Sequence, residues 1–439
     1  MGFPRAAAVV AAVALLAACA GTDAAGPAAD PTCGPFAPYQ GHRGSTVTVS
    51  SSIRDVEADK LVKAWETFQS CTGITIDYTG RSDFETALAG EAAAGKAPDV
   101  ALFPQPGLLA AMARAGRLQP ATPAVAASVD KYYPADWQRY GIVDGVLYGT
   151  PLDGNVKSLV WYSPKYFAER GYTVPQTWAD LLALSDRIAA TGVKPWCAGI
   201  ESGGATGWPA TDWLEDTLLR TAGPDVYDQW VGHRIPFDDP RVAAALDKAG
   251  GILRDPKYVN GGFGGVASIA TTAYQESGLP ILQRQCALHR QASFYTSFWP
   301  ANATIAEDGD LYAFYLPPID PSAGRPLLGA GVFAGAFTGR PEVQALRLYL
   351  TTPDFADRRA RTAGIVSPNK GLDRDVLTTP IEQLTAALLA DPGFTFRFDG
   401  SDQMPAAVGA GTFWAGMTDW INGADTATVL HRIETGWPA

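Results

Sequence analysis

Strand and helix patterns alternate through the first part of this chain, and that alternation constrains its fold more than any other feature. Strand-like segments lie at residues 46–50, 74–79 and 98–103. An amphipathic, helix-like segment follows each of them, at residues 56–71, 82–94 and 107–115. Gly73 and Gly116 stand where two of these helices should end. A βαβαβα order predicts a three-layer α/β unit, built on a parallel sheet with right-handed connections.

A second run of alternating patterns follows residues 145–162, which we interpret as a hairpin or a crossing segment. Helix-like patterns lie at residues 178–190, 209–221, 239–253, 341–350, 372–390 and 404–420. Strand-like patterns lie at residues 194–200, 312–316 and 332–338. The chain has 439 residues, of which 47% are apolar, so it can bury the cores of two or three α/β domains.

The charge balance excludes one class of partner, and the aromatic content favours another. The formal net charge is −11, whereas a protein that binds nucleic acid needs a basic surface. We therefore expect no nucleic-acid partner. The chain has 12 tryptophans, which is more flat apolar surface than a core requires. Such rings favour stacking on a neutral ligand.

Motifs for cofactor and metal chemistry are incomplete. Residues 90–96 resemble a phosphate-binding loop, but Ala97 stands where a Mg²⁺-binding hydroxyl is needed. The sequence has no HExxH, GxSxG or CxxC motif, and its four histidines are scattered. We therefore predict no catalytic residue, no cofactor and no metal site. One alternative stays open, since Asp399 and Asp402 could flank the scissile bond in a glycoside hydrolase.

The N-terminus has the pattern of an export signal. Arg5 precedes an apolar run at residues 6–18, which is too short to span a bilayer as a helix. The run ends in the sequence LAAC, which resembles a bacterial lipobox, and Cys19 would become the lipid-modified first residue. An ordinary signal peptide with a chance cysteine is the alternative. Residues 20–45 are rich in Gly, Pro and Ala and predict a flexible tether to the outer face of the membrane.

The remaining cysteines suggest disulfides. They are Cys33, Cys71, Cys197 and Cys286. An even number is typical of disulfides in an exported protein, and four cysteines allow three pairings. Four buried free thiols are the alternative, because cysteine also behaves as a small apolar residue.

Seven short motifs carry a resemblance to a known family. Three of them are residues 95–100 (GKAPDV), 148–153 (YGTPLD) and 174–181 (VPQTWADL). With these motifs the chain resembles the extracellular solute-binding proteins, family 1 type, of carbohydrate ABC transporters. The other four resemble the alpha-glucoside-binding branch: residues 103–107 (FPQPG), 207–213 (GWPATDW), 289–293 (HRQAS) and 398–405 (FDGSDQMP). The likeness extends across almost all of residues 46–439.

The resemblance implies a periplasmic-binding-protein-like α/β fold, with two three-layer lobes joined by a hinge. It implies a monomeric binding protein and not an enzyme. Such a protein closes on a neutral mono- or oligosaccharide and delivers it to ABC transporter permease subunits. We expect lobe one to comprise residues 46–150 plus 305–360, and lobe two to comprise residues 151–304 plus 361–439. With this division we expect two disulfides. Cys33–Cys71 would join the end of the tether to the first helix of lobe one, and Cys197–Cys286 would lie within lobe two.

A neutral sugar presents hydroxyl groups and apolar C–H faces, so its site needs hydrogen-bonding side chains beside aromatic rings. Because ligands bind at the carboxyl ends of parallel strands, lobe one should contribute Asp83 and Gln105. The connecting segment should contribute Asp153. Lobe two should contribute six residues, namely Trp208, Asp212, Trp299, Arg397, Asp399 and Trp414.

Some of these residues also have purely structural explanations. Trp208 could pack in the core, Asp212 could complement a helix dipole, and Asp153 could be a turn residue. A binder of a non-sugar solute such as a peptide is a further alternative. Such a site would favour fewer aromatic rings and an anchor for charged termini.

Overall fold

The computed structural model describes residues 1–2, 31–363 and 365–438. The predicted signal peptide with Cys19, and residues 20–30 of the predicted tether, lie outside the described residues. The strands are β1 (Thr46–Ser51), β2 (Thr75–Gly80), β3 (Val100–Phe103), β4 (Ile142–Val143), β5 (Val146–Leu147), β6 (Gly149–Val156), β7 (Leu159–Tyr162), β8 (Lys194–Cys197), β9 (Cys286–Arg290), β10 (Tyr312–Tyr315), β11 (Pro326–Ala336) and β12 (Thr395–Phe398).

Helices pack around these strands and between them along the chain. They are α1 (Asp55–Ala64), α2 (Glu66–Thr72), α3 (Phe84–Ala93), α4 (Pro106–Arg114), α5 (Pro123–Tyr132), α6 (Ala135–Gln138), α7 (Pro164–Arg170), α8 (Trp178–Ala189), α9 (Trp208–Val231), α10 (Pro240–Leu253), α11 (Pro341–Tyr349), α12 (Pro353–Ala363), α13 (Pro380–Ala390), α14 (Gly400–Gln403), α15 (Trp414–Ile421) and α16 (Thr426–Thr435). The α/β fold class predicted from the sequence is confirmed.

The first sheet contains the predicted parallel unit. Its strand order is β12-β11-β3-β1-β2, and β6 also pairs with β11. β1 runs parallel to β2 and to β3, with Val49 opposite both Tyr78 and Val100. A buried apolar core that includes Trp65 and Phe68 covers this sheet. The chain therefore forms a first lobe whose parallel strands end toward the second.

The second sheet has the strand order β10-β7-β9-β8. β8 and β9 are parallel, whereas β7 is antiparallel to both β9 and β10. The apolar cluster around it includes Trp196 and Trp213, whose ring centroids are 5.5 Å apart. This second lobe therefore has a core of its own.

Long strands carry the chain from one sheet to the other. β6 of the first sheet leads directly into β7 of the second, and β10 of the second leads back to β11 of the first. β6 and β11 pair antiparallel, from Val156 opposite Gly329 to Gly149 opposite Gly335. Gly154 of β6 also bridges to Val366, in the segment after α12. The crossing strands therefore form the connection between the lobes.

The predicted lobe boundaries are wrong for three strands. β10 falls within the 305–360 range predicted for lobe one, but it pairs with β7 in the second sheet. β12 and most of β6 fall within ranges predicted for lobe two, but both pair with β11 in the first sheet. A strand such as β10 or β12, four residues long, carries an apolar pattern that fits either sheet, so tertiary packing decides its partner.

Residues 31–45 are not the flexible tether that the sequence predicts. Pro31–Tyr39 forms a 3₁₀ helix in which Phe36 and Tyr39 are buried. The Phe36 ring lies 5.4 Å from the Tyr349 ring, and Cys33 is bonded to Cys71 of α2. Aromatic packing and this disulfide therefore hold the segment on the first lobe. The structure also contains the second expected disulfide, Cys197–Cys286, which joins β8 to β9.

His289 of β9 is expected to make the stability of the protein depend on pH. Burial lowers the pKa of His289 from 6.5 to about 4, and its Nδ1–H donates to the Cys197 carbonyl at 3.0 Å. The unfolded chain therefore binds a proton at a higher pH than the folded chain does. The neutral ring contributes fully above about pH 6.5, and that contribution is lost as the pH falls toward 4. Between pH 7 and pH 5 the loss should be about 2 kcal/mol.

Urea unfolding of wild type and His289→Gln at pH 7 and pH 5 measures this effect. The variant should lose less free energy of unfolding between the two pH values, by about 2 kcal/mol. Equal losses in the two proteins would contradict the assignment.

Candidate ligand-binding site

A cleft lies between the two lobes, where the loops after β1, β2 and β3 face the second lobe across the crossing strands. It encloses about 1240 Å³ of space between protein atoms, including its open mouth. Asp153, Gly154 and Asn155 of β6 lie on its floor with Gly331 of β11 and Val366. The carboxyl ends of parallel strands are the usual position for a ligand in such sheets, so this cleft is the candidate site.

Four of the predicted site residues line the cleft, namely Gln105, Asp153, Trp208 and Trp414. Gln105 lies in the two-residue loop between β3 and α4, and Trp208 is the first residue of α9. Gly207 has a φ of 114°, and a Cβ atom there would lie 2.2 Å from the Trp414 carbonyl oxygen. Glycine permits this conformation and this close approach, so the start of α9 packs directly against the backbone of Trp414.

Three predicted residues lie outside the cleft lining. The Asp83 side chain is 61% exposed and pairs with Arg81 at 3.0 Å. Trp299 is buried in the core, with its ring 5.0 Å from the Tyr295 ring. Arg397 pairs with Asp228 at 2.7 Å. None of these three side chains lines the candidate cleft, because each is taken up by a local partner or by core packing.

Asp212 and Asp399 lie just behind the cleft instead of facing a ligand. Both are fully buried, and both accept hydrogen bonds from the Lys157 ammonium, at 2.9 Å in the case of Asp212 Oδ1. Asp212 also faces Arg290, and Asp399 accepts a hydrogen bond from the Ser401 hydroxyl at 2.7 Å. Contrary to the expectation from the sequence, Asp212 and Asp399 do not line the cleft. Lys157 lines it, and the two carboxylates hold the Lys157 ammonium group.

Burial and the shared Lys157 ammonium group together set the pKa values of Asp212 and Asp399. Burial raises the pKa of Asp212 to about 7, although Lys157 acts against this shift. For Asp399, Lys157 outweighs the effect of burial and lowers the pKa. Burial would lower the pKa of Lys157, but Asp212 and Asp399 raise it well above its usual range. Lys157 is therefore a fixed cation at neutral pH.

Aromatic side chains form one wall of the cleft. The Trp208 ring lies 5.1 Å from the Tyr274 ring and 6.1 Å from the Phe294 ring, between ring centroids. All three residues line the cleft, and Trp208 is only half-buried. Such a wall offers a flat apolar surface to a ligand. Tyr274 and Phe294 were missed because nothing in their local sequence separates them from core aromatics.

Acidic side chains face the cleft from both lobes. Glu57 and Glu85 belong to α1 and α3 of the first lobe, and Asp402 belongs to α14. Burial raises the pKa of Glu57 and Glu85, and burial together with the nearby Asp399 carboxylate raises that of Asp402. These groups can accept hydrogen bonds from ligand hydroxyls. From the sequence, Asp402 was expected only as one half of a possible hydrolytic pair with Asp399.

Within residues 31–363 and 365–438, no group of three or more His, Cys, Asp or Glu side chains has the arrangement of a metal site. In the same part of the chain, no helix is both long and apolar enough to cross a membrane.

Two α/β lobes with a polar, aromatic-walled cleft between them define a two-lobe ligand-binding protein of the periplasmic type. The chain belongs to the bacterial extracellular solute-binding protein family, whose family model matches residues 53–288. The family predicted from the sequence motifs is therefore confirmed.

Two curated relatives match nearly the whole chain. The osmoprotective compounds-binding protein GgtB of Synechocystis sp. is 41% identical over 395 residues, which cover 89% of this chain and 92% of that protein. The alpha-glucosides-binding periplasmic protein AglE of Rhizobium meliloti is 38% identical over 411 residues, which cover 91% of this chain and 88% of that protein. Both are therefore similar to this protein in both lobes.

Solved structures with much lower identity have the same fold. The bacterial solute receptor AcbH has a TM-score of 0.78 at 18% identity, over 90% of this chain and 98% of that chain. A chitin oligosaccharide binding protein has a TM-score of 0.76 at 19% identity, over 90% of this chain and 98% of that chain. At these identities the likeness concerns the fold alone.

Proposed function

We propose that this protein is a lipid-anchored extracellular binding protein that captures a neutral sugar, an alpha-glucoside, by closure of its two lobes. It then delivers the sugar to the permease subunits of an ABC importer. The observation that carries the proposal is the cleft itself. Its Trp208, Tyr274 and Phe294 wall can cover the C–H face of a sugar, and Gln105, Glu57 and Asp402 can bind the hydroxyl groups.

The relatives support the choice of ligand. AglE is named for alpha-glucosides, and 38% identity over 91% of this chain makes a similar ligand a reasonable first choice. GgtB is named for osmoprotective compounds. Alpha-glucosides are therefore the class to be tested first.

The position of the cleft supports the proposed closure of the lobes. Glu57, Glu85 and Gln105 lie on the first lobe, whereas Trp208 and Tyr274 lie on the second. A ligand that contacts both lobes binds the closed form more tightly than the open form, and it therefore shifts the population toward closure. The paired crossing strands β6 and β11 would act as the hinge.

A glycoside hydrolase is the less favoured alternative. Such an enzyme needs two carboxyl groups that face the scissile bond from opposite sides. Of the pair Asp399 and Asp402, only Asp402 lines the cleft, while Asp399 is buried against Lys157 and Ser401. This arrangement favours a binding protein.

A thermal-shift screen against neutral mono- and oligosaccharides tests the proposal. An alpha-glucoside at a hundred times its dissociation constant should stabilise the protein by about 2.7 kcal/mol. A charged peptide should have no effect. The same samples should release no glucose from maltose or trehalose. Failure of every sugar to raise the melting temperature would refute the proposed ligand class, and release of glucose would favour the hydrolase.

The anchor is tested by replacing Cys19. If Cys19 carries lipid, Cys19→Ser should move the protein from the membrane fraction to the soluble exported fraction, because the lipid is the proposed attachment. Wild type and Cys19→Ser are compared by cell fractionation and immunoblotting. Cys33→Ser serves as the control cysteine substitution. Membrane association that is the same in Cys19→Ser and wild type would rule out the anchor.

A further inference from the structure

Lys157 is a buried cation at the inner end of the cleft. It directly follows the crossing strand β6, its side chain is 7% exposed, and it lines the cleft. Among the lysines of the described residues, it alone is buried. A buried ammonium group is costly unless its charge and its hydrogen-bond donors are used, so each donor of Lys157 needs a partner.

Two of its three N–H donors have partners in the protein. They donate to Asp212 of α9 and to Asp399, which precedes α14. No acceptor for the third donor occurs among residues 31–363 and 365–438. The Lys157 Nζ atom lies 5.1 Å from the centroid of the Trp208 ring. This distance allows a cation–π attraction, but it is too long for a hydrogen bond.

A sugar needs donors from the protein as well as acceptors. A hydroxyl group both donates and accepts, and a ring or glycosidic oxygen only accepts. Glu57, Glu85 and Asp402 supply acceptors when they are ionised. Lys157 supplies a charged donor whose direction is fixed by two carboxylates. It also lies beside the ring on which the sugar is expected to stack.

We propose that Lys157 is a ligand-binding residue, whose third ammonium N–H donates to an oxygen atom of the sugar that stacks on Trp208. This inference rests on the proposed function. In this proposal Lys157 contacts the ligand, whereas Asp212 and Asp399 are positioning residues that orient its ammonium group. Loss of a hydrogen bond from a charged donor to the sugar should raise the dissociation constant about 10- to 100-fold.

The competing explanation is that Lys157 only neutralises the two buried aspartates. The single variant Lys157→Met cannot distinguish ligand binding from charge neutralisation. It leaves Asp212 and Asp399 close together without their cation, and it should therefore destabilise the fold. The triple variant Lys157→Met/Asp212→Asn/Asp399→Asn removes the cation and both negative charges. It should therefore melt at a higher temperature than Lys157→Met.

Titration calorimetry with the alpha-glucoside that most raises the wild-type melting temperature provides the test. The triple variant should recover melting temperature relative to Lys157→Met and still bind about 10- to 100-fold more weakly than wild type. Lys165→Met/Asp310→Asn removes an exposed lysine–aspartate pair away from the cleft lining and should bind like wild type. A triple variant that folds and binds like wild type would overturn the inference.

A measurement on the unmodified side chain covers the case in which the triple variant does not fold. With ¹⁵N-labelled lysine, the buried Lys157 ammonium should give a slowly exchanging NMR signal that shifts when the sugar saturates the site. An unchanged signal at saturation would overturn the inference. A wild-type protein that binds no sugar would refute the proposed function and this inference together. Sugar binding with an unshifted signal would refute the inference alone.

Discussion

Replacing Asp216 by alanine is expected to lower the free energy of unfolding by about 3–5 kcal/mol. Asp216 of α9 accepts hydrogen bonds from Arg290 at 2.8 Å, from Arg220 and from the Ser158 hydroxyl at 2.8 Å. Asp216 and both arginines are buried. Without the carboxylate, two buried cations lose their shared partner, and the cost of their burial is no longer offset.

Chemical denaturation of Asp216→Ala and of Asp419→Ala measures this effect. Asp419 pairs with Arg432 at 2.6 Å, but both side chains are about half exposed. Solvent screens such a pair, so Asp419→Ala should cost less than about 1 kcal/mol. Similar losses in the two variants would show that burial of the Asp216 cluster has no special weight in stability.

Replacing Trp208 by leucine is expected to weaken sugar binding about a hundredfold. An aromatic ring that covers one face of a sugar removes on the order of 100 Å² of apolar surface from water, which corresponds to about 2–3 kcal/mol. Trp208 is half-buried and lines the cleft, so part of its ring is accessible from the cleft. The fold should lose little, because the leucine retains part of the packing.

Trp299→Leu is the matched control for this prediction. Trp299 is buried in the core of the second lobe and does not line the cleft. Its replacement should lower the melting temperature and leave the dissociation constant of the folded protein within about twofold of wild type. Calorimetry and thermal melts on both variants give the two quantities. Unchanged affinity in Trp208→Leu would mean that the aromatic wall does not hold the ligand.

The first βαβαβα unit could be predicted because each element has a local signal. Gly73 is in the left-handed conformation where α2 ends, and the Thr177–Asp180 capping box begins α8. The lobe to which single strands such as β12 belong could not be predicted from local signals. β12 pairs with β11 across about 70 residues of chain, and no local pattern in its four residues identifies that partner.

The site was predictable where it depends on strand ends. Gln105 and Asp153 line the candidate cleft as expected, because they follow or occupy segments that lead into it. The sequence did not indicate Lys157 as a cleft residue, because its buried position depends on Asp212 and Asp399, which are 55 and 242 residues away along the chain. The same long-range contacts explain why those two acids were taken for ligand contacts.

Titration calorimetry of maltose and cellobiose into the wild-type protein tests the central claim most directly. The two sugars are disaccharides of glucose that differ in the configuration of the glycosidic bond. Capture of an alpha-glucoside between the lobes predicts saturable binding of one maltose per protein, with a negative heat-capacity change from burial of apolar surface. Cellobiose should bind more weakly. Tighter binding of cellobiose, or the absence of saturable heat with maltose and other alpha-glucosides, would contradict the account.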